Sequence, residues 1–138
     1  MIEVSVRSRV VRAGVHAVRA AARLASEIGG GTEGELSIAL VGDRTMKRLH
    51  AEYLGIDETT DVLAFPLGEG AGEVVVSLAV AAREAAARGL DPREEALRYV
   101  AHGVLHLCGL DDENPAERRA MRRAEEKVLR RLRKDALL

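Results

Sequence analysis

Asp61-Val62-Leu63-Ala64-Phe65-Pro66-Leu67-Gly68-Glu69-Gly70-Ala71-Gly72-Glu73-Val74-Val75-Val76-Ser77 is the last part of the chain that reads as strand. Asp61 to Pro66 is a short strand stopped by its proline, and a glycine-rich turn leads to a second one, Glu73 to Ser77. Three helical segments follow: Leu78 to Arg88, Pro92 to Cys108 with Asp91 as its cap, and Pro115 to Arg133 or beyond with Asn114 as N-cap and Glu117 at the third position.

Upstream, Ile2 to Val6 alternates apolar and polar residues and reads as a first strand, and Val10 to Ile28 has helical spacing ended by Gly29-Gly30-Gly31. Glu35 to Val41 is another strand; Asp43 caps a helix from about Arg44 to Tyr53, and Gly55 to Thr60 is loop. Four strands followed by a helical half, without βαβ alternation throughout, make the class α+β. The 138 residues suit one domain, 1–138, with 47% hydrophobic and 31% charged residues. The glycine clusters at 29–31 and 68–72 lack the lysine and the strand-to-helix setting of a phosphate loop and read as turns.

The helix at 92–108 carries the chemistry. In His102-Gly103-Val104-Leu105-His106-Leu107-Cys108-Gly109-Leu110-Asp111-Asp112 two histidines lie four residues apart. That spacing sets both imidazoles about 40° apart in direction and about 6 Å apart in rise, facing a shared point. Two nitrogens at roughly 2.0–2.1 Å from a Zn²⁺ ion suit the arrangement. Gly109 can end the helix in a left-handed turn that brings Asp111, Asp112 or Glu113 back as a third ligand. A lone histidine on an apolar helix is usually a hydrogen-bonded core residue. Two stacked in a helix that is apolar nearly all round need partners, because an unpaired buried polar group costs about 1–3 kcal/mol, and metal binding supplies them. Cys108 points to another side of the helix and reads as a small hydrophobe, and the isolated His16 and His50 read as surface or core residues.

A formal net charge of −1 argues against general electrostatic binding of nucleic acid, but arginine is concentrated locally. Arg118, Arg119, Arg122, Arg123, Lys127, Arg130, Arg131, Arg133 and Lys134 crowd the last helix, and Arg7, Arg9, Arg12, Arg19 and Arg23 meet no acid before Glu27. A solvated helix face and an anion-binding surface fit equally well. No secretory signal is visible in Met1 to Arg7 and no apolar run approaches the length of a membrane span, and the single cysteine suits a reducing cytoplasm.

Thr60 to Pro66, Gly72 to Ser77 and the histidine helix together resemble the YbeY family of metal-dependent bacterial endoribonucleases of ribosomal RNA maturation, from the helix at 44 to the helix at 126. The resemblance implies a small mixed four-stranded sheet flanked by helices, with a metal cleft like that of zinc proteases. It also implies one Zn²⁺ per chain, ribosomal RNA and the ribosome as partners, and a part in ribosome quality control. The family's histidine, glycine, leucine, histidine, leucine and glycine fall on His102, Gly103, Leu105, His106, Leu107 and Gly109, while Met121, Glu125 and Glu126 stand where the family tends to carry a methionine and acids.

Asp112 stands at the family's usual third histidine, so the implied metal ligands are His102, His106 and Asp112, with a metal-bound water as the catalytic group. Leu54 follows Tyr53 where family members usually have an arginine; His50, Thr59 and Ala64 replace a common asparagine, proline and serine. Aspartate lowers the charge of the site by one unit and is a harder ligand, so manganese or iron becomes less surprising, with zinc still first. Arg44, Lys47 and Arg48 are near in sequence as replacement cations and read more simply as surface charges. Two other functions compete: a non-catalytic, metal-stabilised ribosome-associated protein, which Leu54 suggests, and a metal hydrolase of peptides or small molecules. Gly103 disfavours the latter, because it occupies the place of the general-base glutamate in the His-Glu-x-x-His motif.

Overall fold

The computed structural model describes residues 4–8, 14–31 and 34–138. In chain order they form β1 (Val4–Ser8), α1 (Val15–Ile28), β2 (Leu36–Val41), α2 (Asp43–Leu54), β3 (Val62–Gly68), β4 (Ala71–Ser77), α3 (Leu78–Arg88), α4 (Pro92–Leu107) and α5 (Pro115–Lys134). The strands lie in the order β1-β2-β4-β3; β1 and β4 run parallel to β2, and β3 returns antiparallel to β4 along the edge of the sheet.

Alternation along the strands divides the core in two. Ile38, Val74 and Val76 face α1, α4 and α5 in the larger cluster, whereas Ala39, Val75 and Leu63 face Met46 of α2. Helix α4 is the keystone of the larger cluster, burying Leu97, Val100, Ala101, Val104 and Leu105. Each buried valine or leucine is worth about 1.5–3 kcal/mol relative to exposure. Gly103 sets the distance between α4 and the sheet, since a Cβ there would lie 2.5 Å from Val74 Cγ1 and 3.2 Å from Val62 Cγ2. Both neighbours are β-branched and Val74 is fully buried, so neither rotates aside cheaply.

Several elements depart from the sequence reading. The first strand is described only from Val4, since residues 1–3 lie outside the described part. Helix α1 begins after Gly14, which is its N-cap, and residues 10–13 of the expected helix lie outside the described residues. Asp43 is not the cap of α2: Gly42 holds that position without a side-chain bond, and Asp43 sits in the first turn and pairs with Arg83 at 3.2 Å. Pro66 does not stop β3, because an edge strand tolerates a residue that donates no hydrogen bond, and the pairing slips only between Pro66 and Gly68. The expected caps of α4 and α5 form: Asp91 accepts from the Arg93 amide at 2.9 Å and Asn114 from the Glu117 amide at 2.8 Å.

The close approach at Gly103 gives a test. Alanine is the better helix former by up to about 1 kcal/mol, but overpacking a filled core costs about 1–3 kcal/mol, and overlap with Val74 makes the second effect larger. Gly103→Ala is therefore expected to lower the chemical denaturation midpoint; a midpoint at or above that of the parent would show that the helix can back away from the sheet.

Candidate metal centre

With Gly103 against the sheet, its neighbours on the helix project to the side of the contact, toward the open edge formed by β3. His102 and His106 stand there as parallel rings, with centroids 6.5 Å apart and planes 5° apart. The histidines are less buried than an all-apolar helix suggests: the side chain of His102 retains 26% of its exposure and that of His106 46%. They lie on the one face of α4 that no other element covers completely.

What fixes each ring is the bond at Nδ1. His102 Nδ1 lies 2.8 Å from Glu125 Oε2, a nearly buried carboxylate on α5. Glu125 is itself held by Arg98, whose Nη1 is 3.5 Å from its other oxygen and whose Nη2 reaches Glu126 at 2.7 Å. His106 Nδ1 lies 2.9 Å from the Leu110 carbonyl, and that carbonyl is put in place by the end of the helix. The Leu110 amide bonds the Leu105 carbonyl at 3.1 Å, the Gly109 amide bonds the His106 carbonyl at 3.0 Å, and Gly109 has φ +107°. These two bonds define a Schellman turn. Because both Nδ1 partners are acceptors, Nδ1–H donates in each ring and the neutral ring carries its lone pair on Nε2, which is how metal-ligating histidines are normally oriented.

Asp112 follows the turn, and its Oδ2 lies 3.4 Å from His102 Nε2. Asp111 is on the other side of the turn, 4.0 Å from His106 Nδ1, a nitrogen already committed to Leu110. Among the described residues, no three His, Cys, Asp or Glu side chains are gathered tightly enough to form a metal cluster. The structure thus brings His102 and Asp112 together and stacks His106 beside them, and a three-ligand set requires His106 and Asp112 to draw in around one point. The donor chemistry, two neutral imidazole nitrogens and a carboxylate, suits a divalent transition metal.

His102 and Asp112 border two cavities. One, of about 490 Å³, runs along β3 and is lined by Ala64, Pro66, His106 and Leu54. Leu54 thus shares a cavity wall with the histidines although 48 residues separate it from His102. The other, of about 600 Å³, is bordered by Arg88, Arg98, Arg118 and Arg122 together with Glu84 and Glu95. The cations beside the histidines therefore come from α3, α4 and α5. On α2, Lys47 is near Asp57 at 3.9 Å and Arg48 near Glu52 at 3.8 Å, as surface charges would be. His50 is a core histidine whose Nδ1 bonds the Glu58 carbonyl at 2.7 Å, and Cys108 is half-buried, with its thiol pushed to a higher pKa by burial.

The Glu125 hydrogen bond raises the His102 pKa, opposed by burial and assisted by the charges of Glu125 and Asp112. Sequence spacing gave Glu125 no role, since the contact spans 23 residues, and a backbone carbonyl such as that of Leu110 carries no residue-type signal.

A family model described as Endoribonuclease YbeY matches residues 3–133, and the chain belongs to that family. It is 47% identical over 118 residues to the Endoribonuclease YbeY of Anaeromyxobacter sp. (strain Fw109-5), covering 81% of this chain and 60% of the relative. To the Endoribonuclease YbeY of Pelotomaculum thermopropionicum it is 41% identical over 125 residues, covering 83% of this chain and 82% of the relative. The chain thus spans about 60% of the length of the first of these relatives. The solution structure of TM1509 from Thermotoga maritima superposes with a TM-score of 0.67 at 25% identity, covering 99% of this chain and 95% of that one. The match to the family extends beyond residues 44–126 and takes in β1, α1 and β2.

Replacing Glu125 by glutamine removes the charge that favours the imidazolium. In protein kept in chelator, Glu125→Gln is expected to move the His102 titration, followed by NMR at its Cε1 proton, to lower pH. Zinc affinity is expected to fall about 10–100-fold. A titration and an affinity both unchanged would mean that Glu125 does not orient the ring.

Proposed function

We propose that this chain is a single metal-dependent domain, 1–138, that cleaves single-stranded RNA endonucleolytically in ribosomal RNA maturation and ribosome quality control in the cytoplasm. It would hold one divalent ion, zinc first, on His102, His106 and Asp112. The observation that carries the reading is the pair of committed Nδ1 atoms, His102 on Glu125 and His106 on Leu110, which leaves two Nε2 atoms directed at the same cleft as Asp112. Family membership supports the RNA substrate. The described residues contain no helix long and apolar enough to cross a membrane.

The residues divide the work. Glu125 and Leu110 keep the imidazoles in one tautomer and orientation, so that no reorganisation is needed when the site is used. Arg118 and Arg122, on the wall next to His102, would hold the phosphodiester in the absence of an arginine at Leu54. A zinc ion on the three donors supplies charge stabilisation at a phosphoryl oxygen and acidifies water. Gly103 offers no proton acceptor, and a larger residue there would strike Val74, which weighs against peptide hydrolysis.

RNA cleavage by the purified chain is expected to require added zinc or manganese and to fall to background in chelator and in His102→Ala; persistence in either would sink the proposal. A second reading, a metal-stabilised ribosome-binding protein without catalysis, is favoured by Leu54 on the cavity wall. Under that reading chelation lowers the melting temperature and no metal restores cleavage.

A further inference from the structure

The chain contains one phenylalanine, two tyrosines and no tryptophan. Aromatic rings are the largest apolar groups available to a core; Tyr99 is buried and bonded to Glu95 at 3.2 Å, and Phe65 is half-buried against the smaller core cluster. Tyr53 at the end of α2 lies over Phe65 on the edge strand β3, with centroids 5.2 Å apart and planes at 53°. The Tyr53 side of this pair is open, with 64% of the residue exposed. Phe65 and Leu54, the residue after Tyr53, both line the 490 Å³ cavity that holds His102 and His106.

At the opposite end lies an arginine wall. Arg118, Arg119, Arg122 and Arg123 occupy the first turns of α5 and line a shallow depression of about 550 Å³. Farther along the same helix, Arg131 pairs with Asp135 at 3.2 Å and Arg133 pairs with Glu94. Among the described residues none of the four near the N-terminal end is paired with a carboxylate; Arg118 bonds only the Glu113 carbonyl, at 3.2 Å. Arg118 and Arg122 also border the 600 Å³ cavity beside His102 and Asp112, and those two residues in turn border the aromatic end. The three depressions thus adjoin through shared wall residues, and the groove they make up has arginines at one end and Phe65, beneath Tyr53, at the other.

We infer that this groove is a two-ended binding track for single-stranded RNA, with Arg118 and Arg122 taking backbone phosphates and the Tyr53–Phe65 pair stacking an unpaired base on the far side of His102 and Asp112. The inference deepens the endoribonuclease reading and rests on it. A guanidinium matches a phosphate bidentately, and an exposed ring offers its face to any base that is not already stacked in a duplex. Bases stacked within a duplex have no free face to offer the ring, so the strand is single at that end.

The two ends have separable signatures. Binding of a fluorescein-labelled, mixed-sequence single-stranded RNA, measured by anisotropy in chelator so that nothing is cleaved, gives affinity as a function of salt. Arg118→Gln with Arg122→Gln is expected to reduce the slope of log K against log salt by about 1.4, since each phosphate contact on a single strand contributes about 0.7. Tyr53→Ala, at an exposed position, is expected to weaken binding by about fivefold or more at unchanged slope, and to have no effect on an abasic strand of the same length. An unchanged slope in the arginine variant overturns the inference, as does a Tyr53→Ala loss equally large on the abasic strand. If the parent cleaves RNA and these variants bind like it, the track is wrong and the endoribonuclease reading stands. If the parent neither binds nor cleaves, both fall.

Discussion

The contact between Gly103 and Val74 is the constraint on which the site is built. It lets α4 lie directly on β4, so the helix buries its apolar residues on the sheet and against α1 and α5 while one lateral face stays open beside β3. The histidines occupy that face. Were the helix farther from the sheet, the Glu125–His102 contact between α5 and α4 would be strained, whereas the bond from His106 to the Leu110 carbonyl, made within the turn that ends α4, would move with the helix.

Each histidine is therefore oriented by a different level of structure. His106 is set locally: the Schellman turn that ends its own helix supplies the acceptor, and Leu110 packs against the core that the helix helps to form. His102 is set by tertiary structure, through Glu125 on α5 and, behind it, Arg98, which ties Glu125 and Glu126 back to α4. One ring depends on a turn and the other on the docking of a helix, so loss of α5 packing would release His102 first.

Much of this was legible in the sequence because it is local. The period of the apolar residues marked α3, α4 and α5 closely; proline and asparagine marked the start of α5; the four-residue spacing of the histidines and Gly109 marked the paired rings and the turn after them. What was not legible is what tertiary contacts decide. Pro66 reads as a strand end until β3 is known to be an edge, where its missing amide costs nothing. Asp43 reads as a cap until Arg83, 40 residues away, is seen to claim it. The arginines of α5 read equally as a solvated face or a binding surface, and only the fold brings Arg118 and Arg122 to the cavity of His102.

The central claim is that two Nε2 atoms and the Asp112 carboxylate belong to one coordination sphere. X-ray absorption at the zinc edge, on the chain loaded with one equivalent of zinc, addresses it directly. The account predicts a first shell containing two imidazole nitrogens and a carboxylate oxygen at roughly 2.0–2.2 Å, with the oxygen contribution altered and the two imidazoles retained in Asp112→Asn. A zinc shell with one imidazole or none, or a spectrum identical in Asp112→Asn, would contradict it.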